Sequence, residues 1–106
     1  MITITLYKHQ NQYQGFVSRG HAGYAEEGYD IICAAVSVLT VNAINSIEQF
    51  TGDTIAVRSD EGYVELILEG DVSRETTLLL DSMVLGLQDI RETYGKKYLR
   101  IVSKEV

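Results

Sequence analysis

The chain has no proline and a single cysteine among its 106 residues. Without proline, and with no low-complexity segment, neither a linker nor a disordered tail is expected. One thiol cannot close an intrachain disulfide. That excludes a disulfide-stapled secreted domain and points to a reducing interior, the cytoplasm. Cations are scarce: nine lysines and arginines stand against fifteen aspartates and glutamates, for a net charge of −6. A direct nucleic-acid binder needs cations to displace phosphate counterions, so that class is disfavoured. An acidic surface instead suits a basic partner. Long apolar runs are missing too. The longest, residues 31–44, is interrupted by Ser37, Thr40 and Asn42. It falls short of the roughly 20 residues a bilayer span needs, so no membrane partner is expected. The opening "MITITLYKHQ" alternates apolar and polar residues, the pattern of a strand and not of a signal peptide.

The chain length fits one domain, residues 1–106. Ile2, Ile4 and Leu6 mark a half-buried strand. "KHQNQYQG" reads as a turn and "YQGFVSRGH" as the partner strand of a hairpin. Residues 22–29, with Gly23 and Gly28, have neither period and read as a loop. Asp30 is placed as an N-cap. Behind it Ile32, Val36, Leu39, Ala43, Ile47 and Phe50 follow helical spacing. Val38 and Val41 extend the apolar surface, so this helix over 31–50 is expected to be central and buried nearly all round, with Gly52 closing it. "DTIAVRSDEGYVELILEG" reads as a second hairpin turning at Asp60, Glu61 and Gly62. Ser73 caps a second helix whose face is Leu80, Val84, Leu87 and Tyr94, widened by Leu79, Met83 and Ile90 and ended by Gly95. "KKYLRIVSKEV" is a final strand. The order ββαββαβ predicts an α+β domain, with a mostly antiparallel sheet packed against two helices.

The chemistry concentrates in "GHAGYAEEGYDIICAAVS". With Asp30 as N-cap, Cys33 is the third residue of the helix. First-turn backbone N–H groups lack intrahelical partners and, with the macrodipole, favour negative charge. A thiolate at Cys33 is thereby favoured, and the same amides suit an oxyanion. His21 is the available base, provided the intervening loop folds the imidazole back to the sulfur. Asp30 has two open roles: helix cap, or orienter of His21. Ser37 lies one turn after Cys33 on the same face and is placed in the same pocket. Tyr24 and Tyr29 either pack the loop down or touch a ligand.

Other chemistries are excluded by what the stretch omits. No C-x-x-C is present for dithiol redox work. One cysteine with one nearby histidine does not make a zinc set, so no metal is expected. Leu39 stands where a cysteine phosphatase loop has its arginine. Gly20, Gly23 and Gly28 form no dinucleotide or phosphate-loop fingerprint, so no cofactor is expected. The residues alone also allow Cys33 to be a small core residue, as lone cysteines on apolar helices usually are.

The stretch resembles the signature of the ribosomal-processing cysteine protease family, Prp. Gly20, His21 and Ala22, then Gly28, Asp30, Ile31, Cys33, Ala34 and Ser37, stand at that pattern's spacing. The resemblance implies a cysteine endopeptidase of the ββαββαβ fold, with Cys33 and His21 as a catalytic dyad and Asp30 and Ser37 in support. It implies a loop, here carrying Gly23, Tyr24, Glu26, Glu27 and Gly28, that covers bound peptide. It further implies a homodimer acting in ribosome assembly. The substrate would be the precursor of the large-subunit ribosomal protein numbered twenty-seven, cut after a pair of aromatic residues to release its N-terminal extension. Basic residues follow that extension, and Glu26 and Glu27 would attract them. The alternative is a non-catalytic ribosome-assembly or peptide-binding homodimer of the same fold.

Overall fold

Alternating Ile2, Ile4 and Leu6 build β1 (Ile2–His9), which turns directly into β2 (Gln12–Arg19). The turn is tighter than the polar stretch suggests. Gln10 and Asn11 both take positive φ, at 49° and 69°, the backbone that matches a two-residue hairpin to strand twist. After α1 (Ile31–Phe50) come β3 (Thr54–Asp60), β4 (Tyr63–Glu69), α2 (Arg74–Tyr94) and β5 (Leu99–Glu105). The computed structural model describes residues 1–25 and 30–106.

One five-stranded sheet runs β3-β4-β2-β1-β5. The hairpins join through antiparallel β2–β4 pairing, in which Arg19 faces Tyr63 and Phe16 faces Leu66. Among the described residues only β1 and β5 pair in parallel. The domain is therefore α+β with a mostly antiparallel sheet. Gly15 permits close approach of β2 to β4, because a side chain there would run into the Leu66 carbonyl.

Both helices cover one face of the sheet. Ile4, Phe16, Leu66 and Leu99 from the strands meet Ile32, Ile47, Leu80 and Leu87, all essentially buried. The helices pack closely where Gly86 leaves room for Leu39. Asp30 and Ser73 are the N-caps, each accepting from first-turn backbone N–H groups.

Four sequence expectations are corrected. First, α1 is not buried all round: Val38 is 66% and Phe50 72% exposed, because the sheet covers only the stripe Ile32, Val36, Thr40, Ala43, Ile44 and Ile47. Second, by running to Phe50, α1 becomes long and apolar enough by composition to cross a bilayer, although here that buried stripe packs on the sheet. Third, its stop is carried by Thr51 rather than Gly52, since the Thr51 N–H and hydroxyl both donate to the Ile47 carbonyl. Fourth, Tyr94 leaves the buried face of α2, and residues 96–98 form a turn before β5.

Candidate active site

The site is assembled where the ends of β2, β4 and α1 meet. Past Arg19 the chain is fixed by Gly20, whose N–H donates to the Gly62 carbonyl at 2.9 Å. Gly20 has φ +101° and lies against the Met1 carbonyl, so a side chain would not fit. This anchoring sets His21 against the β3–β4 turn. A Cβ placed on Gly62 would stand 3.0 Å from His21 Nε2. Ala22 is buried, and its N–H donates to Cys33 Sγ at 3.2 Å. Gly23, at φ +71°, turns the chain outward.

Asp30 works as a cap. Its Oδ1 accepts from the N–H groups of Ile32 at 3.1 Å and Cys33 at 3.0 Å. Its Oδ2 accepts from the Tyr24 N–H at 3.2 Å. The carboxylate thus ties the start of the loop to its end. Burial pushes its pKa up, but hydrogen bonds from Cys33, Tyr24 and Ile32 outweigh that and hold it below the usual carboxylate range. The Tyr24 ring packs edge-on against Tyr94 and Tyr98, with centroids 5.8 and 5.1 Å away. Of the two roles read for Tyr24, the structure therefore shows packing. Glu26, Glu27, Gly28 and Tyr29 lie outside the described residues.

Half-buried Cys33 borders two adjoining cavities. The outer one, about 380 Å³, is lined by His21, Gly23, Asp30, Cys33, Ser37 and Glu61, among others. The inner one, about 210 Å³, shares His21, Cys33 and Ser37 and runs between α1 and the sheet. The structure thus brings His21, Cys33, Asp30, Ser37 and Gly23 to one place.

The electrostatics differ from the sequence expectation. Burial pushes the Cys33 thiol pKa up; the Ala22 N–H opposes this and Asp30 adds to it. The net shift is therefore upward and not downward as anticipated, with burial its largest cause; two of the first-turn amides, those of Ile32 and Cys33, donate to the Asp30 carboxylate. That carboxylate also sets a negative charge beside the sulfur.

Sequence reading missed Asp60, Glu61 and Gly62 as site residues. They read correctly as a hairpin turn, but only the β2–β4 register carries that turn to His21. Ser18, Val36 and Thr40, which line the inner cavity, were likewise unmarked. Among the described residues, no group of three or more histidine, cysteine, aspartate or glutamate side chains is gathered to hold a metal ion.

Comparison with known proteins places these features in context. Residues 1–99 match the family model described as cysteine protease Prp. The chain is 28% identical over 110 residues to the ribosomal processing cysteine protease Prp of Bacillus subtilis, covering 97% of each. It superposes on the S. aureus ribosomal processing protease Prp, solved with a covalently linked product peptide, with a TM-score of 0.91 and 27% identity. That match covers 98% of this chain and 100% of the other. The same S. aureus protease with a substrate peptide gives a TM-score of 0.85 at 26% identity, again over 98% and 100% of the two chains.

Proposed function

The chain belongs to the cysteine protease Prp family, and from that premise we propose that Cys33 is its nucleophile and His21 its general base and acid. The observation that carries this reading is the placement of both side chains on the walls of the same two cavities, with the Ala22 N–H aimed at the sulfur. Because burial holds the thiol pKa up, the resting sulfur keeps its proton near neutral pH. His21 takes that proton as Sγ attacks the peptide carbonyl carbon. The C–N bond then breaks, His21 protonates the departing amine, and a thioester remains. Water, deprotonated by His21, cleaves the thioester and frees the acid. Asp30 holds the helix start and the loop in register for these steps. Ser37 borders the space the peptide would occupy.

We propose as substrate the precursor of the large-subunit ribosomal protein numbered twenty-seven, cut to release its N-terminal extension, with the enzyme acting in the cytoplasm. The relatives' role in ribosomal processing supports this, as do Asp30 and Glu61 at the outer cavity, which suit a basic peptide. A homodimer is also proposed. Exposed Val38, Val41, Leu78 and Leu85 on the two helices supply apolar surface for it. Sedimentation should show a dimer that Val38→Asp with Leu85→Asp converts to monomer.

The deciding experiment is incubation with the unprocessed ribosomal protein, followed by mass spectrometry of both fragments. Wild type should yield two products. Cys33→Ala and Cys33→Ser should yield none while retaining the fold. Cleavage by Cys33→Ala overturns the assignment. Tight binding without product supports a non-catalytic peptide-binding role.

A further inference from the structure

Both helices lie on one face of the sheet, and the inner cavity runs between that face and α1. The opposite face carries no helix. Alternation decides what stands on it. Ile2, Ile4 and Leu6 of β1 are buried toward the helices, so Thr3, Thr5 and Tyr7 point the other way. Register adds their neighbours. Thr3 lies between Arg100 and Arg19, Thr5 between Val102 and Val17, and Tyr7 between Lys104 and Gly15. Arg19, Arg100 and Lys104 are all exposed. Among the described residues, no carboxylate stands in this β5–β1–β2 grid.

The carboxylates of this acidic chain lie elsewhere. Glu48, Glu75, Asp81, Asp89 and Glu92 are on the helices, and Asp30, Asp60 and Glu61 border the cavities. Net charge argues against a polyanionic ligand, but it sums over faces that such a ligand never meets together. Lysine on an edge strand commonly blocks further pairing. That accounts for Lys104 and not for Arg19, which sits on interior strand β2. Beyond the grid, Glu65 on β4 is engaged. The Tyr63 hydroxyl donates to its Oε2 at 3.2 Å, and Arg58 Nη1 lies 3.9 Å from its Oε1.

Aromatic surface accompanies the cations. The Arg19 guanidinium stands over the ring of its cross-strand partner Tyr63, 5.3 Å from the centroid. Half-buried Tyr7 has no side chain beside it on β2, because its partner there is Gly15. Past Gly15 lies Ile67, 43% exposed. With strands spaced about 4.8 Å apart, the row Tyr7–Gly15–Ile67 is a shallow apolar seat roughly 10 Å across, and Lys104 stands at its rim.

We propose that this face is a docking surface for single-stranded RNA, with Arg19, Arg100 and Lys104 on its phosphates and a base stacked on Tyr7 above the Gly15 gap. A sheet that stacks bases on its aromatic side chains is a general mode of RNA recognition, and stacking tolerates any base. Arg100 and Arg19 are about 10 Å apart across the strands, and Arg100 and Lys104 about 13 Å apart along β5. Those spans bracket a few extended nucleotides. The pairing of ring with cation favours RNA over anionic lipid, which offers no base to stack. The catalytic cavities and the apolar helix surface assigned to the dimer lie off this face, so RNA, peptide and partner subunit do not compete for it.

The test follows the anisotropy of a short fluorescein-labelled oligouridine titrated with the full chain across a series of salt concentrations. Binding should be weak and saturable, with Kd of about 10⁻⁶ to 10⁻⁴ M at low salt. Log affinity should fall against log salt with a slope of about −2, the sum of roughly −0.7 from each of the cations. Arg100→Gln with Lys104→Gln should weaken binding about tenfold or more and leave a slope near roughly −0.7. Arg74→Gln, which removes an exposed cation on α2, should change neither. Tyr7→Ala should cost about tenfold, and Tyr7→Phe, which keeps the ring, should bind as wild type. Melting temperature and the iodoacetamide rate at Cys33 should be unchanged in the glutamine variants. No saturable RNA binding, or equal losses in Arg74→Gln and the double variant, overturns the proposal. So does sedimentation with phosphatidylserine vesicles in the absence of RNA binding. Wild-type affinity in a folded Tyr7→Ala protein overturns the stacking role, and if that variant fails to fold the glutamine pair still decides the surface.

Discussion

The Ala22 backbone N–H donates to Cys33 Sγ at 3.2 Å. Ala22 directly follows His21, so the segment that delivers the imidazole also contacts the thiol. The same sulfur has the Asp30 carboxylate nearby, which opposes its ionisation. A donor and an anion therefore act on one titration in opposite senses.

Replacing that anion tests the balance. With the thiol pKa raised, thiolate is scarcer at neutral pH than in a free cysteine, and alkylation accelerates as pH rises through the elevated value. Asp30→Asn removes the charge and keeps a competent cap, since asparagine caps about as well as aspartate. The midpoint of the iodoacetamide rate against pH should fall, with little change in melting temperature. A midpoint that stays or rises would contradict the assigned role of Asp30.

Gly62 is constrained twice, by φ +66° and by the His21 ring where a Cβ would sit. Left-handed backbone costs a non-glycine residue roughly 1–2 kcal/mol. Gly62→Ala should therefore lower stability modestly and displace the imidazole. We expect kcat/KM for the ribosomal precursor to drop by about 10²-fold, while Cys33 alkylation changes little. A variant that cleaves at the wild-type rate would show that His21 does not depend on this wall.

Acid should weaken the fold at its caps. Asp30 is held low by amide donors. Asp53 is held low by the Thr76 hydroxyl and then by the Ser73 N–H, with burial opposing and the Ser73 hydroxyl assisting. A depressed folded-state pKa gives stability that is complete above the unfolded carboxylate value of about 3.9 and is lost as pH drops through the folded value. Urea midpoints should be flat around neutrality and decline below about pH 4. Asp53→Asn should flatten the decline, and an unaltered slope would assign it to other carboxylates.

The acidic pair Glu26 and Glu27 offers a charge test. Changing both to glutamine should slow cleavage of a basic-flanked peptide more at low salt than at high salt, because screening already removes the attraction at high ionic strength. An effect independent of salt would reject steering.

How far the sequence could be read follows from the range of each interaction. Asp30 and Ser73 were legible as caps because the bonds they accept lie within one turn. His21 and Cys33 stand close in the chain, so their convergence needed only a folded-back loop. Gly62 and Glu61 reach the site through strand register, which no local pattern encodes. The outward exposure of Val38 was hidden because apolar residues on every side of α1 do not announce which side the sheet covers. The thiol shift ran against expectation chiefly because the sulfur is desolvated by burial, to which the Asp30 carboxylate that caps the helix adds; burial comes from tertiary packing that no local pattern shows. The β1–β5 parallel pairing joins the two ends of the chain and left no signature in either strand alone.

The imidazole rides on the sheet layer, anchored by the Gly20–Gly62 bond, and the sulfur rides on the helix above it. Their separation is consequently a gauge of how the two layers are stacked. A slight slide of α1 over the strands alters that gauge while every strand and helix persists. Turnover should accordingly fade on warming before circular dichroism registers any melting.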